Sequence, residues 1–185
     1  MTESITKEKT SRTVWVLRIA ATAAVIAWMC VIFAMSADDA DASSRKSDEI
    51  VDFAINVAVK TGLTTREKVT ESVRDRLCFI VRKGGHLTEY AILGTLLVLM
   101  LAAWGMRRLI LRGAAALPGA AGDAATDEYH QLSVSGRSGQ WSDVAIDTCG
   151  ALAGILLTLL VMRTVRRRRE NRRKLSENVT KQTTE

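Results

Sequence analysis

Ionisable side chains recur at helical spacing in two separate parts of the chain. Glu89 and Tyr90 follow His86 by three and four residues, and Asp147 follows Asp143 by four. Each group would therefore share one face of an α-helix. Carboxylates, a histidine and a phenol on facing helices could bind a cation, move protons or accept hydrogen bonds from a ligand. The ligand-binding candidates are Lys83, His86, Glu89, Tyr90, Asp127, Glu128, Gln131, Arg137, Asp143 and Asp147.

Several uses of these side chains stay open from the sequence. Carboxylates suit Mg²⁺, Ca²⁺ or Mn²⁺ and histidine favours Zn²⁺, so the candidate cofactor is a divalent cation. The same groups could be an acid/base set for a lipid-linked substrate, or bind its head group, with Lys83, Arg82 and Arg137 meeting phosphate or carboxylate. The purely structural alternative is a network in which Arg137 bridges Asp127 and Asp147. The chain has no GxSxG pattern, so no catalytic residue is assigned.

Four helical spans are predicted to position these residues. The apolar segments 14–35, 86–106 and 144–165 are each long enough to cross a hydrocarbon core of about 30 Å at roughly 1.5 Å per residue. The segment 109–127 is less apolar because alanine and glycine dominate it, and Pro118 predicts a kink there. Small residues nevertheless suit a helix that is surrounded by other helices.

The distribution of basic residues predicts that the less apolar segment 109–127 also crosses the membrane. Basic residues in the tail 1–12 and arginines in the tail 166–185 place both tails in the cytoplasm. Both ends can share one side only if the number of spans is even. We therefore predict an all-α, multi-pass protein of the cell membrane: a four-helix transmembrane bundle within a membrane domain at 13–165, with its ionisable residues at the outer ends. The basic cluster is typical of a membrane stop signal, so we expect the bilayer rather than nucleic acid as a partner.

The segment between the first two spans predicts two short amphipathic helices. One covers 47–60, and a capping-box pattern at Thr64 opens the second. Both would lie on the membrane surface or on the bundle. The small residues at 34–37 also allow a signal-peptide cleavage site, but the preceding apolar run is longer than such a peptide needs, so an uncleaved span is predicted.

Small residues also predict where the helices pack closely. Gly150 and Gly154 form a GxxxG pattern that continues the helix face of Asp147, and Gly94 lies in the second span. These three glycines are the candidate helix-packing residues. Because Asp147 shares their face, it is predicted to point into the bundle rather than toward lipid, where a charge costs several kcal/mol.

The polar motifs resemble those of the VanZ-like membrane protein family over about residues 80–162. Lys83, His86, Tyr90, Leu93 and Gly94 are similar to the family's Lys-x-x-His-x-x-x-Tyr-x-x-Leu-Gly helix start. A second series is similar to the family's Asp-Glu-x-x-Gln, Gly-Arg, Asp and Asp-x-x-Gly motifs, and it consists of Asp127, Glu128, Gln131, Gly136, Arg137, Asp143, Asp147 and Gly150. The family often has proline before its Gly-Arg pair, where this chain has Ser135.

This resemblance implies a membrane fold and an envelope context, since the family is named for an accessory protein of resistance to glycopeptide antibiotics, notably teicoplanin. It implies no particular reaction. The function expected is an integral envelope protein whose outward-facing polar pocket binds a lipid-linked or cell-wall component and contributes to glycopeptide resistance. The alternatives are a membrane enzyme acting on a lipid-linked substrate, metal-dependent or not, and a small regulatory membrane partner.

Overall fold

The structure, a computed structural model, describes residues 2–37, 40–134 and 140–184, with side chains described for 12–37, 44–134 and 140–176. Within these ranges the chain forms α-helices, one short 3-10 turn and no strand, which confirms the all-α class. The helices are α1 (Thr2–Ser36), α2 (Ala40–Lys60), α3 (Glu71–Ala103), α4 (Leu109–Gln131) and α5 (Trp141–Thr184).

Three stretches of the described helices are long and apolar enough to cross a membrane. They are Arg12–Ser36 in α1, Glu71–Ala103 in α3 and Trp141–Ser176 in α5. These stretches contain the predicted spans 14–35 and 144–165. α4 is 23 residues long but is not among them, because its glycines, Pro118 and the charged residues Arg112 and Asp123 lower its mean hydropathy.

The predicted boundaries of the second span differ from those of α3. The helix begins at Glu71 rather than 86 and ends at Ala103 rather than 106. The capping-box pattern at Thr64 does not open it, because residues Arg66–Lys68 form the 3-10 turn and Thr70 precedes the helix without a side-chain cap. The second amphipathic stretch is therefore the first part of α3, not a separate short helix.

α2 packs against this first part of α3 in the opposite direction. Ser44 of α2 accepts a hydrogen bond from Arg82 at 3.0 Å, and further along α2 Asp52 pairs with Arg74 at 3.0 Å. Val51 is buried between the helices, at 1% exposure. α2 begins at Ala40 rather than at the predicted 47. The predicted helix at 47–60 is thus the later part of α2, which forms a helical hairpin with the first part of α3.

α3 and α5 lie parallel and in close contact. A Cβ atom on Gly150 would overlap the backbone of Leu87, and one on Gly154 would overlap the carbonyl oxygen of Ala91. The contacts occur in the same order along both helices, Leu87 with Gly150 and then Ala91 with Gly154, so the two helices run in the same direction. We call this contact the glycine seam.

Gly94 extends the glycine seam from the other helix. A Cβ atom there would overlap the carbonyl oxygen of Ala151. One turn beyond Gly154 on α5, Thr158 donates a hydrogen bond of 3.0 Å to the Thr95 hydroxyl. The backbones approach because none of the three glycines carries a side chain, which is the usual basis of tight helix pairs in membranes.

α1 and α4 run in the direction opposite to α3 and α5. In α1, Arg18 donates to the carbonyl of Ala103 at 3.3 Å and Trp28 donates to the carbonyl of Glu89 at 2.9 Å, so α1 is antiparallel to α3. In α4, Gly113 near the start lies against the Leu159 side chain of α5. The end of α4 lies beside the start of α5, so these two helices are also antiparallel.

The bundle consequently has two chemically different ends. The acidic end contains Ser36, Asp127 and Asp147, and the basic end contains Trp104 and Arg163. Because α1 and α5 run in opposite directions, the start of the apolar part of α1 and the arginine-rich part of α5 both lie at the basic end. The helix of α5 continues to Thr184, so the described part of the predicted tail at 166–185 is a helical extension of the last apolar stretch.

Aromatic and arginine side chains pack together at the basic end. The Arg18 guanidinium lies 5.3 Å from the Trp15 ring centre and 5.5 Å from that of Trp104. Trp104 also donates a hydrogen bond of 3.1 Å to the Thr22 hydroxyl. Tryptophan with a nearby cation is typical of the interface between hydrocarbon and head groups.

Candidate functional site

A stripe of small residues on α4 leads directly into the site. Ala116, Ala120 and Ala124 are buried at four-residue intervals against the other helices. The same face continues through Asp127 and Gln131, which are 4% and 5% exposed. The helix period that buries the alanines therefore also buries these polar side chains at the acidic end.

Asp127 is held by hydrogen bonds from two helices. Ser36, at the end of α1, donates to its Oδ2 at 2.8 Å, and Gln131 donates to the same oxygen at 3.1 Å. The Gln131 amide also lies 2.6 Å from the Ser36 hydroxyl. All three side chains are buried. This triangle fixes one carboxylate oxygen of Asp127, whereas the other, Oδ1, is buried without a hydrogen-bond partner among the described residues.

Tyr90 of α3 lies at the centre of the acidic end. It is fully buried, and its hydroxyl faces the carboxylate of Asp123. Asp127, Asp147 and Glu89 are also close enough to interact electrostatically with this hydroxyl. Carboxylates from three helices therefore surround one phenol.

Asp147 of α5 is the most deeply buried of these acids, at 2% exposure. Its Oδ1 lies 3.8 Å from Nδ1 of His86, which is beyond hydrogen-bond distance but within the range of an ion pair when the histidine is protonated. Asp127, Asp143, Glu128 and Glu89 are its carboxylate neighbours. Because Asp147 precedes Gly150 on the glycine seam, the close approach of α3 and α5 positions it against α3.

The rim of the site carries an ion pair and a backbone contact. Lys83 of α3 pairs with Asp143 of α5, and each side chain is 22% exposed. The backbone N–H of Gln140 donates to Oε1 of Glu128. Glu128 also lies near Lys83 and Asp143. This rim therefore links the end of α4 to the start of α5.

Four buried carboxylate oxygens at the acidic end have no hydrogen-bond partner among the described residues. They are Oδ2 of Asp123, Oδ1 of Asp127, Oε2 of Glu128 and Oδ1 of Asp147. A buried acceptor without a donor costs roughly 1–3 kcal/mol, and more when it is charged. Six carboxylates gather here, and in the described part of the chain their basic neighbours are Lys83 and His86. The site is therefore rich in acceptors and poor in donors.

The predicted candidates lie together in the structure wherever it describes them. Lys83, His86, Glu89 and Tyr90 follow one another along α3, and the acids of α4 and α5 face them. Arg137, predicted to meet phosphate or to bridge two acids, lies outside the described residues. No group of three or more His, Cys, Asp or Glu side chains within the described ranges has an arrangement that could hold a metal ion.

Two contacts at the acidic end were not predicted from the sequence. Ser36 is hydrogen-bonded in the Asp127 triangle, and Trp28 donates to the backbone of Glu89. The His130 ring also packs against Phe33, with 4.1 Å between the two ring centres. Only the position of Ser36 at the end of an apolar run could have indicated its role, since that end must meet the outer ends of the other spans.

These features define a class: a helical membrane protein with a buried acidic site at one end of its bundle. Residues 21–162 match the VanZ/LLP1 family. The chain therefore belongs to this family, as its motifs predicted. Neither a curated protein nor a solved structure matches the chain.

Proposed function

We propose that this protein crosses the cell membrane four times, with both tails in the cytoplasm, and that its outward-facing acidic end binds the head group of a lipid-linked or cell-wall component. The ligand supplies hydrogen-bond donors such as amines, amides and sugar hydroxyls. Glycopeptide resistance of the teicoplanin type is the cellular role that the family context suggests for such binding.

The helix directions support four crossings. α3 and α5 are parallel neighbours, so if both cross the bilayer, the chain between them must return through it. α4 lies between them in sequence and runs the opposite way. Exposed Trp141 on α5 and the first arginine after its apolar part, Arg163, are separated by about 33 Å at roughly 1.5 Å per residue, close to the thickness of a hydrocarbon core.

The observation that carries the proposed ligand class is the set of buried carboxylate oxygens, among them those of Asp127, Glu128 and Asp147, that have no donor within the described residues. Native proteins pair nearly all buried acceptors, so such a set marks a place where a further donor binds. A metal ion is less well supported, given the arrangement of the described acids. Saccharide and peptide head groups carry several donors at spacings that three acceptors can meet.

Binding can be measured directly on purified protein in lipid nanodiscs. The probe is a polyprenyl-diphosphate-linked disaccharide peptide, compared with polyprenyl diphosphate alone, and native mass spectrometry gives the bound fraction. We expect the complete lipid to bind and the lipid without its head group to bind much more weakly. Asp147→Asn and Glu128→Gln should each weaken binding about tenfold or more, because each replaces a charged acceptor.

Asp75→Asn is the matched control, because it makes the same change on an exposed face of α3. It should bind like the unaltered protein. In a bacterial host, Asp147→Asn and Glu89→Gln should accumulate in the membrane yet lose any effect on teicoplanin susceptibility. Equal binding of the two lipids, or equal loss in the Asp75 control, would contradict the proposed function.

A further inference from the structure

A groove at the basic end lies between the start of α4 and the arginine-rich part of α5. Its apolar walls are Leu109 and Ile110 of α4 and Leu159 and Leu160 of α5. Its volume is about 570 Å³, within the range of roughly 300–1,000 Å³ typical of small-ligand sites. Ile110 is 81% exposed and Leu160 61% exposed, so the apolar walls are open to a hydrocarbon chain.

The floor of this groove is strongly basic. Arg163, Arg166 and Arg167 line it on the face that α5 shares with Leu159 and Leu160. Glu170 is the acid in its lining, and it is bonded to Arg166 at 2.9 Å. Arg163 and Arg167 therefore leave a net positive charge beside the apolar walls.

The order of these side chains along α5 matches the order of groups in a phospholipid. Arg163 lies one helical turn beyond Leu159, and Arg167 lies one turn further still, about 12 Å from Leu159 at roughly 1.5 Å per residue. Acyl chains lie in hydrocarbon and the phosphate lies at the head-group level just outside it. The α4 N-terminus adds partial positive charge, because Arg108 precedes the helix without a side-chain cap.

From this geometry we infer that the groove is a binding site for an acidic phospholipid of the leaflet at the basic end. The acyl chain lies against Leu109, Ile110 and Leu160, and the phosphate pairs with Arg163 and Arg167. Arginine suits this role because its planar guanidinium donates two hydrogen bonds to one phosphate. The site lies at the opposite end of the bundle from the acidic end and does not depend on the function proposed there.

The test uses full-length protein in detergent, titrated with phosphatidylglycerol or with phosphatidylcholine and followed by native mass spectrometry. Phosphatidylglycerol should bind about tenfold more tightly at one site. The double variant Arg163→Gln/Arg167→Gln should lose this preference, and Arg166 is left in place to keep its pair with Glu170. Both altered side chains are exposed, so the fold should be unaffected.

The double variant Arg168→Gln/Arg172→Gln is the matched control, since it removes the same charge at the same spacing on α5 outside the groove lining. It should keep most of the preference, changing affinity by less than about threefold. Equal losses in both variants would mean general charge attraction, and would overturn the site. Displacement of the lipid by inorganic phosphate or by glycerophosphoglycerol at matching concentration would also overturn it, because the acyl chain would then contribute nothing.

Discussion

Ser36, the last residue of α1, donates a hydrogen bond of 2.8 Å to Asp127 of α4, 91 residues further along the chain. This bond joins α1 to the helix that carries three of the six carboxylates at the acidic end. Both side chains are buried, so water cannot replace the serine as a donor.

We expect Ser36→Ala to destabilise the protein by about 1–3 kcal/mol, because it removes a donor to a buried carboxylate. The measurement is the thermal unfolding midpoint in detergent. Ser72→Ala, at an exposed position of α3, is the control and should leave the midpoint unchanged. Equal midpoints for the two variants would show that the Ser36 bond contributes nothing to stability.

Gly154→Ala should lower membrane accumulation sharply, because its Cβ would overlap the carbonyl oxygen of Ala91 and backbone cannot move aside as a side chain can. Gly122→Ala is a matched control within a helix, since a Cβ there meets nothing within 4 Å. The control should be neutral or stabilising by up to about 1 kcal/mol, from helix propensity. Immunoblots of membrane fractions compare the two. Normal accumulation of Gly154→Ala would contradict the close contact of α3 and α5.

Asp147→Asn distinguishes a ligand site from a structural ion-pair network. If the Asp147 carboxylate is a ligand-binding group without a protein partner, removing its charge relieves the cost of burying it. The unfolding midpoint of Asp147→Asn should then stay the same or rise. If it is a fixed partner of a basic side chain, the loss should be roughly 3–5 kcal/mol. The measurement is the thermal unfolding midpoint of Asp147→Asn, compared with that of the control Asp75→Asn. A large loss of stability in Asp147→Asn alone would favour the structural network over the proposed function.

Single cysteines test the proposed topology, in a background where Cys30, Cys78 and Cys149 are replaced by alanine. Ser133→Cys, exposed at the acidic end, should react with an impermeant maleimide on intact cells. Ser176→Cys, exposed on the basic extension of α5, should react only after permeabilisation. If α4 does not cross the membrane, the pattern should reverse, with Ser133→Cys reacting only after permeabilisation and Ser176→Cys reacting on intact cells.

Features that depend on the spacing of residues along one helix could be predicted from the sequence. The apolar runs predicted three spanning helices, and the spacing of His86, Glu89 and Tyr90 predicted that they share one face of a helix. Features that depend on contacts between distant segments of the chain could not be predicted from the sequence. No local signal ends the helix between Glu71 and His86, since Gly84 and Gly85 are tolerated inside it, so α3 extends well beyond the predicted span. The role of Ser36 likewise depends on α1 meeting α4, and the sequence around the serine indicates only that it lies at the end of an apolar run.

The glycine seam also sets the width of the acidic end. Gly150 lies less than one helical turn from Asp147, so the separation of α3 and α5 fixes the distance from that carboxylate to His86 and Tyr90. A bulkier residue in the seam would push α3 and α5 apart and so move Asp147 away from His86 and Tyr90 without touching any polar group. The arrangement of the acidic side chains is thus determined in part by residues that have no side chain.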